Sequence, residues 1–347
     1  MTAPLCAAAL PPPAGVMAYR LRWKRRRFLW RAFRARRQLT PRQDLTSQIK
    51  EDDLLLVLVL RNEATRLPYF LHYYRKLGVN HFLVVDNNSS DGSSDLLMGQ
   101  GDVSLWHTDH SYRATRFGVD WSNWLLMRYG HGHWCLTVDA DELLTYDGAS
   151  HQDLKHLTAL LQQQGREAFG AMMLDLYPKG TLDQQGYHAG QDPCDLLRYF
   201  DAAPYRVARQ APLGNLWIQG GARERMFFQE MPHRSPTLNK IPLLFWNRRY
   251  AYLNSTHSML PPRLNGLYCG PGGGAPSGVL LHTKFLPEIV SKSATEKQRG
   301  EHFLKPMDFA HYYDGLSAAP DLWTEKSFEY NGPDQLKALG LLPALPW

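Results

Sequence analysis

From residue 53 onward, continuous apolar runs alternate with stretches in which apolar residues recur every three or four positions. Residues 53–60 form such a run, which is typical of a strand covered on both faces. The helical spacing over 67–77 predicts an amphipathic helix that ends at Gly78. The same pattern predicts the other elements of this half: strands at 82–85 and 103–106, helices after Asp91 and over 113–129, and a strand that leads into Asp139.

Beyond residue 180 the pattern is weaker. A composition rich in Gly, Pro and Gln predicts loops with short elements over 180–220 and a mobile loop over 261–278. For the rest we expect strands at 223–229 and 243–246, an ordered segment at 280–285 and a helix over 287–304. The alternation of strands and helices predicts an α/β fold, with a doubly wound, mostly parallel sheet and helices on both faces.

The chain shows no internal repeat, so the economical organisation is a single domain with an irregular C-terminal part. We divide it into a basic arm at 1–50, flexible or amphipathic, a main domain at 51–305 and a C-terminal extension at 306–347. The main domain would consist of two halves, 51–145 and 146–305.

The charge of the chain is unevenly distributed. Its 347 residues carry a net charge of +6, but residues 1–50 hold 12 of the 39 Lys and Arg and only 1 of the 33 Asp and Glu. The rest of the chain is therefore mildly acidic, which gives no support for a nucleic-acid-binding surface spread over the fold and disfavours a nucleic-acid partner. The 4 cysteines have no C-x-x-C spacing, which argues against a zinc knuckle or a disulfide scaffold and fits a reducing cytoplasm.

Aromatic residues interleave with arginines over 18–38, which predicts a basic, partly amphipathic helix in the arm. Such a helix could lie on an anionic membrane surface, contact nucleic acid or remain a solvated tail, and we favour the membrane. A short Ala-Ala-Ala-Leu stretch precedes the basic cluster, the reverse of a signal peptide. We therefore expect a cytoplasmic protein, peripheral at the inner face of the membrane.

Polar clusters follow three of the predicted strands. They are Arg61-Asn62-Glu63, the run from Asp86 to Gly92, and Asp139-Ala140-Asp141-Glu142. The carboxyl ends of parallel strands meet at one edge of the sheet, where such folds bind ligands, so we expect these clusters to lie together. A G-x-G-x-x-G fingerprint and a Walker A sequence are absent, which disfavours dinucleotide and P-loop sites.

If the fourth strand continues through the D-x-D, the side chains of Asp139 and Asp141 point to the same side. Two carboxylates so close to each other repel unless a cation lies between them, and their oxygen ligands suit Mg or Mn. The alternative is a pair of solvated turn residues or a helix N-cap.

With these motifs in order, the chain resembles the family 2 glycosyltransferases of GT-A fold. It is similar to the bacterial branch that has an Arg-Asn-Glu opening, D-x-D-E and a late His-x-Lys, here His282-Thr283-Lys284. The resemblance implies transfer of a sugar, with inversion, from a nucleoside diphosphate sugar to a glycan or lipid-linked acceptor. It also implies Mn or Mg, and it makes 51–145 the nucleotide-sugar half and 146–305 the acceptor half.

The resemblance also assigns roles to single residues. His282 would join the D-x-D as a metal ligand, although a hydrogen-bonded structural histidine is an alternative. On a strand, His282 and Lys284 would face the same side, where the ammonium could meet a diphosphate. The implied metal ligands are Asp139, Asp141 and His282, and the implied nucleotide-sugar contacts are Arg61, Asn62, Glu63, Asp86, Asn88, Asp91 and Lys284.

An inverting transfer needs a base near the acceptor hydroxyl. Glu224 is the first candidate by its order in the chain, but the flanking Arg223 and Arg225 offer a plain salt bridge instead. Asp175, at the end of a strand, is the second candidate. The chain lacks the family's usual Glu-Asp pair and Gln-x-x-Arg-Trp signature, so processive synthesis is not predicted.

Two other functions remain open at this point. A sugar-nucleotide nucleotidyltransferase shares the sheet and the metal carboxylates, but its glycine-rich loop is absent after the first strand. A non-catalytic scaffold acting through the basic arm would have no need of an intact D-x-D.

Overall fold

The computed structural model describes residues 6–299 and 310–347. Its helices are α1 (Gly15–Ala35), α2 (Leu67–Lys76), α3 (Ser93–Met98), α4 (Val119–Tyr129), α5 (Leu154–Gln163), α6 (Pro193–Leu196), α7 (Gly221–Phe227), α8 (Glu288–Arg299), α9 (Ala310–Ser317) and α10 (Pro333–Ala338). Its strands are β1 (Thr40–Gln43), β2 (Leu55–Leu60), β3 (His81–Asp86), β4 (Val103–His107), β5 (Trp134–Thr137), β6 (Glu142–Thr145), β7 (Ala168–Asp175), β8 (Tyr199–Phe200), β9 (Tyr205–Gln210), β10 (Asn215–Gly220), β11 (Asn239–Phe245), β12 (Ala251–Tyr252), β13 (Met259–Leu260), β14 (Ser277–His282) and β15 (Phe328–Glu329).

A nine-stranded sheet forms the centre, in the order β1-β4-β3-β2-β5-β11-β7-β14-β6. β2 pairs in parallel with β3 and β5, β3 with β4, and β7 with β14. β11 is antiparallel to both β5 and β7, and β1 and β6 are antiparallel strands at the two edges. Six of the nine strands therefore run in one direction. The predicted α/β fold with a mostly parallel sheet in a single domain is confirmed.

The side chains of β2 alternate between two apolar cores, one on each face of the sheet. Leu56 and Leu58 belong to the apolar core that includes the buried residues of α2 and α5. Leu55 and Val57 belong to the second core, which includes α4 and the end of α1. Because side chains of a strand alternate between faces, a strand buried on both sides is apolar throughout, as the sequence indicates.

Several segments differ from the sequence-based expectation. The predicted strand at 223–229 is wrong, because α7 occupies this segment. Positive φ angles of 134° at Gly220 and 69° at Gly221 turn the chain out of β10, a conformation that glycine tolerates. The helix expected over 113–129 is α4, which begins only at Val119, because Arg116 and Phe117 before it have positive φ.

The region expected to be loops over 180–220 contains the hairpin of β9 and β10. The strand expected at 243–246 is longer, since β11 already begins at Asn239. The helix expected over 287–304 is α8, and residues 300–304 of that prediction lie outside the described residues.

α1 is the helix predicted in the basic arm, and it packs against the body. Leu21, Ala32 and Ala35 are buried, and Arg31 Nη2 forms an ion pair with Asp120 Oδ2 of α4 at 2.9 Å. Among the described helices, none is long and apolar enough to cross a membrane. The division of the chain at 50 and 305 stays a prediction.

Candidate functional site

The D-x-D lies in a turn between β5 and β6, which we call the acidic turn (residues 138–141). β5 ends at Thr137, so the alternation of side chains along a strand does not extend to Asp139 and Asp141. The two carboxylates also have different partners. Asp139 contacts Lys240, whereas Asp141 contacts His282. The expectation that both point to one side on a continuing strand is therefore wrong.

Lys240 is the cation beside Asp139, and the sequence analysis missed it. Continuing the antiparallel pairing of β11 with β5 brings Lys240 level with Asp139. Its Nζ lies 2.9 Å from Asp139 Oδ2 and 2.9 Å from Glu142 Oε1, and both Lys240 and Glu142 are buried. Burial alone would lower the pKa of Lys240, but these two carboxylates hold it above its usual value. A lysine directly before the apolar run at 241–245 was the available signal.

His282 joins three segments that are far apart in the chain. Its Nδ1 lies 2.6 Å from Asp175 Oδ1, at the end of β7, and its Nε2 lies 3.3 Å from Asp141 Oδ2. Arg223 of α7 donates to Asp175 and lies 2.9 Å from His282 Nδ1. We call these four residues the charge network.

The charge network holds its carboxyl groups ionised despite their burial. Burial raises the pKa of Asp175, but Arg223 and His282 outweigh it and bring the pKa to about 2. Burial also opposes ionisation of Asp141, yet His282, Arg66 and Lys284 hold its pKa well below the usual range. The same two carboxylates raise the pKa of His282 against its desolvation.

A divalent ion has two candidate ligands here rather than three. Within residues 6–299 and 310–347, no group of three His, Cys, Asp or Glu side chains has metal-ligand spacing. The 3.3 Å between Asp141 Oδ2 and His282 Nε2 is close to the roughly 3 Å expected for neighbouring ligands of one ion with bonds of about 2.1 Å. A Mg-type ion commonly takes one or two protein ligands and completes its shell with phosphate and water. Asp141 and His282 fit that arrangement, while Asp139 is engaged by Lys240.

The residues predicted to contact the nucleotide lie in two interlocked loops, residues 61–64 and 87–93, which we call the loop pair. The backbone N–H groups of Asn62, Glu63 and Ala64 donate to Ser89 Oγ, Ser93 Oγ and Asp91 Oδ2. In return, Asn62 Oδ1 accepts from the N–H of Ser90. Asn62 and Asp91 therefore fix the shape of this edge.

Asp86, which immediately precedes the loop pair, and Asn88, which lies within it, differ in their exposure to solvent. Asp86 is buried at the end of β3, where its carboxylate accepts from Ser89 and Ser94. Asn88 is exposed, with a positive φ of 58°. Arg61 donates to the carbonyl of Asn87 across the two loops at 3.0 Å. The parallel pairing of β2 with β3 and with β5 places the carboxyl ends of all three strands at one edge of the sheet, as predicted.

Glu63 and Lys284 complete the predicted nucleotide-binding set. Glu63 pairs with Lys292 of α8 at 2.8 Å and with Arg66 at 3.1 Å, although burial still raises its pKa. β14 ends at His282, so Lys284 lies beyond the strand and the expectation of a shared strand face is wrong. Lys284 nevertheless contributes to lowering the pKa of Asp141.

Both candidate bases are held by arginine. Glu224 accepts from Arg206 at 2.5 and 2.7 Å and from Ser235 at 2.7 Å, and despite partial burial these contacts lower its pKa. The flanking Arg223 and Arg225 reach other carboxylates, so the salt-bridge partner is Arg206. Asp175 is occupied within the charge network. This geometry favours the salt-bridge interpretation of Glu224 over the base.

A small pocket opens beside Asp139 on the α4 face of the sheet. Its walls are formed by β2, by the end of β5, by the turn before α4 and by the segment after β12. Tyr112 and Phe117 supply aromatic surface, and Ser255 and Thr256 supply hydroxyl groups. A cleft that combines apolar walls with a few polar groups is the usual form of a small-molecule site.

Comparison with protein-family models found no match, and comparison with curated protein sequences found none either. Solved structures with a local likeness include a mannosyltransferase from Pyrobaculum calidifontis in complex with GDP-Man and Mn2+, at 16% identity over 47% of this chain and 46% of that one, with a TM-score of 0.26. A 4-diphosphocytidyl-2C-methyl-D-erythritol synthase from Anaerococcus prevotii matches at 9% identity over 38% of this chain and 59% of that one, with a TM-score of 0.23. HddC from Yersinia pseudotuberculosis matches at 8% identity over 70% of this chain and 98% of that one, with a TM-score of 0.29. The matched regions span less than two thirds of the mannosyltransferase and of the synthase. Likenesses this distant assign neither a family nor an activity.

Proposed function

We propose that this protein is a metal-dependent glycosyltransferase that moves a sugar from a nucleoside diphosphate sugar to a hydroxyl acceptor. The observation that carries the proposal is the meeting of Asp141 and His282 beside the loop pair, at the edge where the parallel strands end. Open α/β sheets bind ligands at that edge. Inversion, and a surface glycan or lipid-linked saccharide as acceptor, follow from the family resemblance.

In this proposal Asp141 and His282 hold Mn or Mg. Asp175 accepts at Nδ1 of His282, which leaves Nε2 facing Asp141 and able to ligate once the metal displaces its proton. When bound, the ion would neutralise negative charge on the departing nucleoside diphosphate. Lys284 and Arg66 add positive charge near Asp141.

The remaining carboxylates have supporting roles. Lys240 pairs with Asp139 and Glu142, which ties the acidic turn to β11. Glu224 anchors α7 to β9 through Arg206, and α7 in turn presents Arg223 to the charge network. Residues 51–145 would then hold the donor, and 146–305, of which 300–305 lie outside the described residues, the acceptor.

A thermal-shift titration with UDP, GDP, CDP and dTDP, each with and without Mn, tests the donor site. We expect one diphosphate to raise the melting temperature in the presence of Mn, because a ligand that binds only the native state stabilises it. Asp141→Asn should abolish that shift. Asp334→Asn, which removes an exposed carboxylate from α10, should keep it. A shift that survives Asp141→Asn would contradict the proposed site.

A product assay separates the proposal from a nucleotidyltransferase. A glycosyltransferase releases the nucleoside diphosphate when donor and acceptor are present. A nucleotidyltransferase instead forms a nucleoside triphosphate when given pyrophosphate and the sugar nucleotide. Formation of triphosphate without transfer to an acceptor would overturn the proposal.

A further inference from the structure

α1 has two unlike faces, and only one of them contacts the body. Leu21 packs with Leu253 and Leu260, and the buried Ala32 and Ala35 mark the same face further along. The helix ends against the second core through Ala35. The position of α1 on the protein is therefore set by ordinary packing, which leaves its other face turned outward.

The outward face of α1 carries large aromatic side chains in the open. Tyr19, Trp23 and Trp30 are exposed by 59%, 51% and 60%. Tyr19 and Trp23 meet edge to face at 6.1 Å, and Trp30 stacks on Phe33 at 5.7 Å. Water-facing tryptophans are unusual on a soluble surface, because their burial elsewhere would be favourable.

Basic side chains surround these rings, and α1 contains no acidic residue. Arg26 lies over the Trp23 ring at 5.2 Å, which keeps a guanidinium beside an apolar surface. The exposed basic residues of the helix are Arg20, Arg22, Lys24, Arg26, Arg27 and Arg34. A bilayer interface accommodates this combination, since tryptophan enters the headgroup region while arginine pairs with lipid phosphates.

We infer that the outward face of α1 docks on an anionic lipid bilayer. Charge complementarity supports this occupant, because residues 1–50 hold 12 basic residues against 1 acidic residue while the rest of the chain carries net negative charge. A nucleic acid is a poorer fit. It would extend past one convex helix onto a body of net negative charge, and the exposed rings of α1 form no cleft for bases.

Docking through α1 would place the candidate site close to the lipid. The Arg116 guanidinium lies over the Phe28 ring of α1 at 4.0 Å and donates to the carbonyl of Leu253 at 2.9 Å. Phe117 follows Arg116 in the chain, and Ser255 lies shortly after Leu253. Both Phe117 and Ser255 line the pocket beside Asp139. Residues that line the pocket therefore adjoin residues in contact with the packed face of α1, which would bring the pocket near a membrane-borne acceptor.

Sedimentation of the full chain with vesicles tests the inference. We expect binding to vesicles of equal parts phosphatidylcholine and phosphatidylglycerol, and none to phosphatidylcholine alone. Removing three charges with R26Q/R27Q/R34Q should weaken partitioning about a hundredfold, because each basic residue near such a surface contributes about 1 kcal/mol. W23A/W30A should weaken it as well, since both rings are exposed and their loss leaves the packed face of α1 intact.

K76Q/K155Q is the control, and it removes two charges where R26Q/R27Q/R34Q removes three. It removes exposed positive charges from α2 and α5, on the opposite face of the sheet, and should sediment like the unaltered protein. Thermal melts of all variants should coincide, which separates loss of docking from loss of fold.

Equal sedimentation of R26Q/R27Q/R34Q and K76Q/K155Q would overturn the inference. Binding of the unaltered chain to duplex DNA but not to the anionic vesicles would overturn it in favour of a nucleic-acid partner. The assay needs no sugar transfer, so its outcome is independent of the proposed activity.

Discussion

The loop pair and the charge network lie at the same edge of the sheet, yet they are built differently. In the loop pair, short polar side chains accept from backbone N–H groups about 27 to 30 residues away, and one motif shapes the other. In the charge network, ionised groups from the acidic turn, β7, α7 and β14 compensate one another across up to 141 residues of chain, from Asp141 to His282. The loop pair thus owes its form to turn chemistry, whereas the network depends on the whole sheet.

Lys240→Met should have the largest effect, and it acts on stability. The Glu142 carboxylate would remain buried without its cation, which we expect to cost about 3–5 kcal/mol of unfolding free energy. Urea denaturation measures this loss, and K240M/E142Q should recover most of it. An unchanged unfolding midpoint would show that Lys240 and Glu142 do not depend on each other.

The same variant should show an altered pH dependence. Burial raises the pKa of Glu142 in the folded state, and loss of Lys240 would raise it further. A carboxyl with a raised pKa binds its proton more tightly when folded, so the deficit should be small in acid and grow as pH rises towards neutrality. A deficit independent of pH would contradict this account.

Asp141→Ala should act on turnover more than on stability, since the loss of its pair with His282 costs some stability as well. We expect a loss of at least ~100-fold, about 3 kcal/mol of transition-state stabilisation, because Asp141 is the carboxylate proposed to hold the metal. Asp139→Ala should lose less, since Lys240 already engages that side chain. Steady-state kinetics on both variants, with melting curves alongside, checks the order. A greater loss in Asp139→Ala would reverse the assignment.

Asp91→Ala probes the loop pair. It removes acceptors for Ala64 and Ser93, and we expect a loss of about 1 kcal/mol of stability. Partial burial opposes ionisation of Asp91, but its hydrogen bonds lower the pKa below that of a free Asp. A carboxyl with a lowered pKa stabilises the fold above its unfolded pKa, so the difference from the unaltered protein should fade as pH falls. Denaturation at neutral and acidic pH measures both effects.

Glu224→Gln should have the smallest effect. It weakens a pair with the half-exposed Arg206, for which we expect about 0.5 kcal/mol, and turnover close to that of the unaltered protein. Glu329→Gln is the control, because its partner Arg198 is similarly exposed. If turnover collapsed in Glu224→Gln alone, Glu224 would be the base after all.

The first half of the fold could be predicted from local pattern, and the second half could not. Continuous apolar runs identified β2 and β3 because strands buried on both faces are apolar throughout. The segment at 223–229 was misassigned because three charged residues followed by Met and two Phe show neither a strand period nor a helical period over so short a stretch. The positive φ at Gly220 and Gly221, which turns the chain into α7, is visible only in three dimensions.

By itself, the sequence determined the mostly parallel sheet, the edge at which its polar clusters meet and the basic helix of the arm. Each of these follows from periodicity or from neighbours in the chain, which are local properties. The tertiary structure alone decided that Lys240 occupies the space beside Asp139 and that Asp175 and Arg223 hold His282 against Asp141. These partners come from β7, α7, β11 and β14, and their meeting depends on strand order in the sheet. Which cation compensates which carboxylate is therefore a property of the assembled fold.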